Sequence, residues 1–343
     1  MSISPRRHMP TMKEVAHIAN VSVQTVSAVI NEKPGITDET RLRVLAVVQE
    51  LDYRPYWVAQ SLRTRQTKTI ALLISNISNP VFSTIASAAE DFAYSVGYSL
   101  VVYNTHDDVG REARYIRMAG DRWVEGMLFV AAQDRMDKLH ALKAAGIPAV
   151  AIDRLPEGYN GPVVTLDNQA AGRLAAEHLL ALGHTHIAHI SGPLRLRLAR
   201  ERVEGFRNAI EAHGYYAGPV VGGDGNWECE DGYQAMRQLL LCQPRPTAVF
   251  CANDRMAIGA IRAAIEAGLR VPEDLSVVGL DDLEFAPYQN PPLTTVRQSF
   301  AELATRAVQL LLDILAEREP AQRHIVLAPT LVIRQSTGPP GGL

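Results

Sequence analysis

Residues 11–31, TMKEVAHIANVSVQTVSAVIN, hold two short amphipathic segments joined by a tight turn. Val15, Ala16 and Ile18 give the first segment an apolar stripe, and Asn20-Val21 supplies the turn. Ser22 stands where an N-cap belongs and opens a second helix from Val23 to about Ile30. Val26 and Val29 of that helix face inward, which leaves Val23, Gln24, Thr25, Ala28 and Asn31 on other faces. The pattern is that of a helix-turn-helix, and Gln and Asn amides can meet adenine bidentately in a major groove. It also fits an αα-hairpin inside a larger helical domain, so the surrounding chain has to decide.

On the C-terminal side, Glu32-Lys33-Pro34-Gly35 signals a loop. Thr37-Asp38-Glu39-Thr40 then caps a third helix running to about Leu51, with Val44, Leu45, Val48 and Leu51 as its apolar face. Three helices within residues 11–55 make a minimal bundle around one small core. Tyr53-Arg54-Pro55 breaks the pattern, and residues 56–62 leave room for two helical turns before the polar run at 63–68. So short a helix folds only against a partner. Charge marks the same region, because residues 1–68 hold 10 Lys+Arg against 6 Asp+Glu while the remainder holds 24 against 31. A basic head on an acidic body suits a polyanion as the head's partner. Residues 1–10 read as a flexible arm, with Met9 and Met12 as alternative starts to Met1.

From Thr69 the texture changes to strands alternating with helices. TIALLIS, YSLVVYN, GMLFVA and PAVAID are apolar runs of the kind buried in parallel sheets, with helices predicted at 80–96, 110–121 and 136–145 between them. A second series has VVTLD, HIAHIS, a less regular segment around Val220, TAVFCA and LSVVGLDD, with helices at 168–182, 200–213, 231–241 and 256–267. Repeated βαβ units with right-handed crossovers make two doubly wound subdomains, so the fold class is α/β. The strand TTVRQ, a helix at 301–316 and the extended pieces HIVLAP and TLVIRQ are too few for a third domain and cross back to complete the two sheets. The body thus spans 69–336, with lobe 1 at about 69–162 plus 293–320, lobe 2 at about 163–292 plus 321–336, and 337–343 as a tail.

The composition excludes several classes. Cys229, Cys242 and Cys251 form no CxxC pair and no ligand spacing with the ten histidines, so no metal or cofactor is expected and a reducing cytoplasm is the simplest setting. No segment approaches the ~18 consecutive apolar residues of a membrane span, and the N-terminus lacks the apolar run of a secretion signal. There is no Walker lysine motif, no GxSxG elbow, no HExxH and no paired catalytic Cys and His, which argues against an enzyme.

Seven phrases in order carry a resemblance to a known family: MKEVAHIANVSVQTVSAVIN, YRPYWVAQSLR, GHTHIAHISGP, ARERVEGF, ANDRMAIGA, VPEDLSVVGLDD and PPLTTVRQSF. From about Met12 to Arg334 the chain resembles the lactose repressor and galactose repressor (LacI/GalR) family of bacterial transcription factors. The resemblance implies a helix-turn-helix head at 11–55, a hinge helix and linker at 56–68, and a two-lobed, periplasmic-binding-protein-like body that binds an effector between its lobes. It implies a homodimer on double-stranded operator DNA, with Leu62 as the wedge entering a minor-groove base step and Ala59 packing against its mate. A leucine that merely covers the head is the plainer reading of Leu62. Two departures alter base reading: Ala28 stands where many relatives have arginine, and Val23 where they often have tyrosine. Neither can pair bidentately with guanine, so the operator differs from the commonest family sequence. Tyr56-Trp57 also depart from the usual polar linker pair.

Asp153, Asn253 and Asp281 follow predicted strands, where α/β proteins bind ligands, and Arg202 lies near a helix start. The resemblance places these four in the effector pocket and adds Phe82, Trp227 and Phe300 as aromatic walls. Carboxylates, an amide and a planar guanidinium suit a polyhydroxylated ligand, a sugar or sugar derivative. Caps or turns for the polar residues, and plain core for the aromatics, are the competing readings. Arg195, Arg197 and Arg200 crowd near Arg202 and suit either an anionic effector or a solvated loop. A nucleobase-type corepressor and a cytoplasmic or exported sugar-binding protein without a regulatory role are the alternative functions; a transport role for the second would require export.

Overall fold

The computed structural model describes residues 10–53, 67–132 and 146–341. The linker positions Ala59 and Leu62, and the helix expected at 136–145, lie outside the described residues. The chain divides into two compact units, Met1–Thr67 and Lys68–Leu343.

In the first unit, α1 (Met12–Ile18), α2 (Val23–Ile30) and α3 (Asp38–Glu50) pack around Val15, Ala16, Ala19, Val26, Val29, Val44, Val47 and Tyr53. Each helix begins at a side-chain cap. The Glu14 amide donates to Thr11 Oγ1 at 3.3 Å while Glu14 Oε2 accepts from the Thr11 amide at 2.6 Å, a reciprocal capping box. Ser22 Oγ accepts from the Thr25 amide at 3.1 Å, and Thr37 Oγ1 from the Thr40 amide at 3.4 Å. Caps contribute ~1 kcal/mol each, and helices of seven and eight residues need that together with the shared core. Two expected core positions are corrected. Ile18 and Leu45 are 52% and 44% exposed, and Ala19 and Val47 take their places because they lie four and three residues beyond the buried Val15 and Val44.

The second unit contains two six-stranded sheets. The first is built from β1 (Thr69–Ile74), β2 (Ser99–Asn104), β3 (Gly126–Phe129), β4 (Ala149–Ile152), β5 (Val163–Leu166) and β11 (His324–Leu327), in the order β11-β5-β4-β3-β1-β2, all parallel. The helices α4 (Pro80–Ser95) and α10 (Phe300–Leu315) pack on one of its faces. α5 (Val109–Met118) ends in a π-helical turn, Ala119–Trp123, where a single helix was expected. The second sheet comprises β6 (Ile187–Ser191), β7 (Val220–Gly222), β8 (Ala248–Cys251), β9 (Ser276–Asp281), β10 (Thr294–Arg297) and β12 (Thr330–Val332), in the order β12-β10-β9-β8-β6-β7. Only β12 runs antiparallel. Around it lie α6 (Asn168–Ala181), α7 (Arg197–Ala212), α8 (Cys229–Leu239) and α9 (Asp254–Glu266).

The pairing moves the expected lobe boundaries. β5 pairs with β4 and β11 with β5, so both belong to the first sheet, whereas β10 pairs with β9 and belongs to the second. The chain therefore crosses between lobes after Leu166, after Arg297 and after Leu327. Apolar strands look alike whichever sheet they join, and only the pairing assigns them. The end of the body and the start of the expected tail are both bound. Ser336 Oγ donates to Val277 O at 2.6 Å and accepts from the Thr294 amide at 2.8 Å, and the Gly338 amide donates to Ser276 Oγ at 3.0 Å. β12 delivers the chain along the second sheet, which keeps the following residues in reach of β9 and β10.

Candidate functional site

Within the head, α2 turns Val26 and Val29 inward and presents Val23, Gln24 and Asn31 to solvent, with Thr25 and Ala28 half-buried. Asn31 Nδ2 donates to Ser27 O at 2.6 Å, and the hydroxyls of Ser22 and Thr25 lie 2.9 Å apart. This surface offers amide, hydroxyl and methyl groups along one face of a helix anchored by its own core.

Within the body, Phe82, Asp153, Arg202, Trp227, Asn253, Asp281 and Phe300 all line one cleft between the two sheets, of about 350 Å³ including its open mouth. Asp153 follows β4 with φ 62°, and Asp281 ends β9 with φ 118°. Such backbone costs ~1–3 kcal/mol for a residue with a side chain and concentrates at functional sites. Neither carboxylate accepts a hydrogen bond from the described residues. Burial pushes both carboxyls upward in pKa; the Arg154 and then the Arg202 guanidinium pull Asp153 back, and Arg202 pulls Asp281 back.

Arg202 is held from several sides. Its Nε donates to Asn168 Oδ1 at 2.9 Å, one Nη to Ala252 O at 2.7 Å and the other to Gln298 Oε1 at 3.5 Å, while Trp227 lies under the guanidinium at 5.3 Å. Glycines make this reach possible. A Cβ at Gly172 would collide with Arg202 O and one at Gly205 with Gln169 O, so α6 and α7 meet backbone to backbone. Asn253 realises the cap reading as well as the lining one: Oδ1 accepts from the Met256 amide at 2.8 Å and Nδ2 donates to Trp227 O at 3.1 Å. Phe82 and Phe300, 4% and 6% exposed, belong to the first lobe's core and still border the cleft.

Sequence reasoning missed Asn79, Val81, Arg154 and Leu198, which also line the cleft, and Asn168 and Gln298, which hold Arg202. The strand-end rule that found Asp153 could have found Arg154, Asn168 and Gln298, since each lies within two residues of a strand's C-terminus. Arg195, Arg197 and Arg200 are absent from the lining. They bond to Gly225 O and Asn226, to Glu201, and to Leu194 O respectively. Asp254 is turned inward, accepting from Thr295 Oγ1 at 2.6 Å and the Leu283 amide at 2.8 Å, and Asp282 pairs with Arg297 and Arg334. Among the described residues no cluster of three or more His, Cys, Asp or Glu could hold a metal ion, and no helix is long and apolar enough to cross a membrane.

Comparison with known proteins covers the same two units. Residues 11–56 match the model of bacterial regulatory proteins, lacI family, and residues 176–337 that of the periplasmic binding protein-like domain. The HTH-type transcriptional repressor PurR of Photobacterium profundum is 36% identical over 329 residues, 96% of this chain and 98% of that protein. Among solved structures, the lac repressor dimer bound to operator and the anti-inducer ONPF superposes with a TM-score of 0.87 at 32% identity, covering 96% of this chain and 99% of that one. A complex of the transcriptional regulator CelR with cellobiose gives a TM-score of 0.71 at 31% identity, covering 95% and 99%.

Proposed function

The chain belongs to the lacI family of bacterial regulatory proteins, and from that membership we propose that this DNA-binding repressor takes a small polar ligand between its lobes and converts its occupancy into operator affinity. The observation that carries the reading is the convergence of Asp153, Arg202, Asn253, Asp281 and Trp227 on one cleft. Two buried carboxylates without donors can accept from paired hydroxyls, the guanidinium donates in a plane, and Trp227 offers an apolar face to a ring. A sugar or sugar derivative meets all three. A nucleobase is the second reading, favoured by the full-length relatives that carry the name PurR.

In this reading Val23, Gln24, Thr25, Ala28 and Asn31 read the major groove, Ala59 and Leu62 serve the minor groove, and two chains act as a homodimer on a two-fold operator. The head occupies 11–55 and the linker 56–68. Ligand changes operator affinity by roughly 5–150-fold. The test is a thermal-shift screen of sugars, sugar derivatives and nucleobases, followed by mobility shift on a selected operator with and without the hit. Unchanged operator affinity with demonstrably bound ligand would overturn the coupling. Leu62→Ser should weaken operator binding and spare ligand binding, and equal loss of both would remove Leu62 from the wedge role.

A further inference from the structure

Arg154 lines the cleft with a side chain only 6% exposed, yet the ligand reading above makes no use of it. One Nη donates to Asp107 Oδ1 at 2.8 Å and to Ala131 O at 3.2 Å, and the guanidinium stands 5.7 Å from the centre of the Phe82 ring. Its Nε is buried and finds no acceptor among the described residues. A buried guanidinium with an unused donor edge is costly unless an acceptor completes it, and a carboxylate or phosphate matches that planar fork. Asp107 and Asp153 compensate the charge in part: the Asp107 side chain is 42% exposed, so water screens that pair, and the buried Asp153 beside it feels the Arg154 charge.

The wall beside Arg154 suits an anion too. Asn79 and Val81, at the start of the sixteen-residue helix α4, open on the same cleft; Asn79 Oδ1 already accepts from the Val81 amide at 3.1 Å, so α4 adds its dipole there with its first amide capped. Arg195, Arg197 and Arg200, the basic cluster visible in the sequence, bond elsewhere and leave Arg154 and Arg202 as the cations of the lining.

We propose that Arg154 determines ligand specificity and that the ligand is an anionic polyol, a sugar acid or sugar phosphate whose charged group seats on Arg154 while its hydroxyls meet Asp281, Asn253 and Arg202. The inference rests on the polyhydroxylated-ligand reading, and its test separates the two. Calorimetry on the full chain compares D-gluconate with D-glucose, D-galacturonate with D-galactose, and glucose 6-phosphate with glucose, with hypoxanthine alongside. At least one anionic member should bind roughly tenfold or more tighter than its neutral partner; the carboxylate and phosphate arms identify the source of the anion. Arg154→Met should collapse that ratio by roughly tenfold. Arg154→Lys, which keeps the charge and loses the fork, should lower it at least about threefold and carries the test if the methionine variant does not fold. Neutral members binding as tightly as anionic ones, or a preference that survives either substitution, overturns the role of Arg154 alone. Binding of hypoxanthine with no carbohydrate of either kind overturns the polyol reading and this inference together.

Discussion

Arg202 donates from Nε to Asn168 Oδ1 at 2.9 Å, joining a cleft-lining cation to the residue at which the chain has just entered the second lobe from β5. The same guanidinium reaches Gln298, immediately after β10, where the chain crosses back. A ligand bonded to Arg202 would bear on two of the three interlobe crossings at once.

Asn168→Ala should cost about 1–3 kcal/mol of stability, because a buried charged donor loses its acceptor. It should also lower ligand affinity while leaving the head's DNA surface intact. Urea unfolding and calorimetry check this; stability loss with unchanged ligand affinity would confine Asn168 to packing.

Gly192 follows β6 with the Trp227 ring against its Cα, and a Cβ there would overlap the ring. Gly192→Ala should push Trp227 off Arg202 and weaken ligand binding roughly tenfold or more, with a change in tryptophan fluorescence. Retained affinity would show that the ring does not bear on the ligand.

On the operator side, Gln24→Ala should cost about 1–3 kcal/mol in specific binding if its amide reads a base edge, with little effect on non-specific binding. Ala28→Arg should enrich guanine at the facing position in a site-selection experiment. An unaltered selected sequence would take Ala28 out of base contact.

His189 is stacked on Phe250 at 4.6 Å with Nδ1 2.9 Å from Phe250 O, and burial pushes its pKa down to about 3. The folded state thus binds fewer protons there than the unfolded chain below about pH 6.5, so this stabilisation is complete above that pH and lost as pH falls toward 3, by up to roughly 1.4 kcal/mol per unit. Asp254, raised to about 7 by burial, has the opposite sign: its contribution is full below the unfolded carboxyl range and lost as pH rises through 7. His189→Phe isolates the histidine, and its unfolding free energy between pH 6.5 and 4.5 should fall less steeply than that of the unsubstituted protein. Identical slopes would contradict the assignment.

His184 Nε2 lies 2.8 Å from Gly338 O and 3.1 Å from Ser276 Oγ, and Nδ1 lies 2.9 Å from Thr247 Oγ1. Removing residues 337–343 strips this cluster of its strap and should cost about 1–3 kcal/mol, a loss of several degrees in Tm. A truncated chain with unchanged Tm would mean that water replaces the strap without loss.

Local patterns carried the element order. The cap at Ser22, the inward pair Val26 and Val29, and the alternation from Thr69 onward are short-range signals, so α2 is found where its sequence puts it. Asp153, Asn253 and Asp281 were legible because they end apolar strands and because the family resemblance set the cleft reading above the cap reading that Asn253 also realises. Arg154, Asn168 and Gln298 stand at equivalent places, within two residues of a strand end, which makes them candidates, but nothing local says which strand-end side chain turns toward the cleft.

By itself the sequence determined the helix-turn-helix head, the doubly wound body and the chemical character of the cleft wall, since capping, periodicity and residue type act over a few positions. Only the tertiary structure decided that β5 and β11 join the first sheet and β10 the second, that the C-terminal residues strap the second lobe, and that one arginine of five near the cleft ties two crossings together. Those outcomes depend on pairings between residues tens to more than a hundred positions apart, and the energy of such a pairing is set by geometry that no local window of the chain contains.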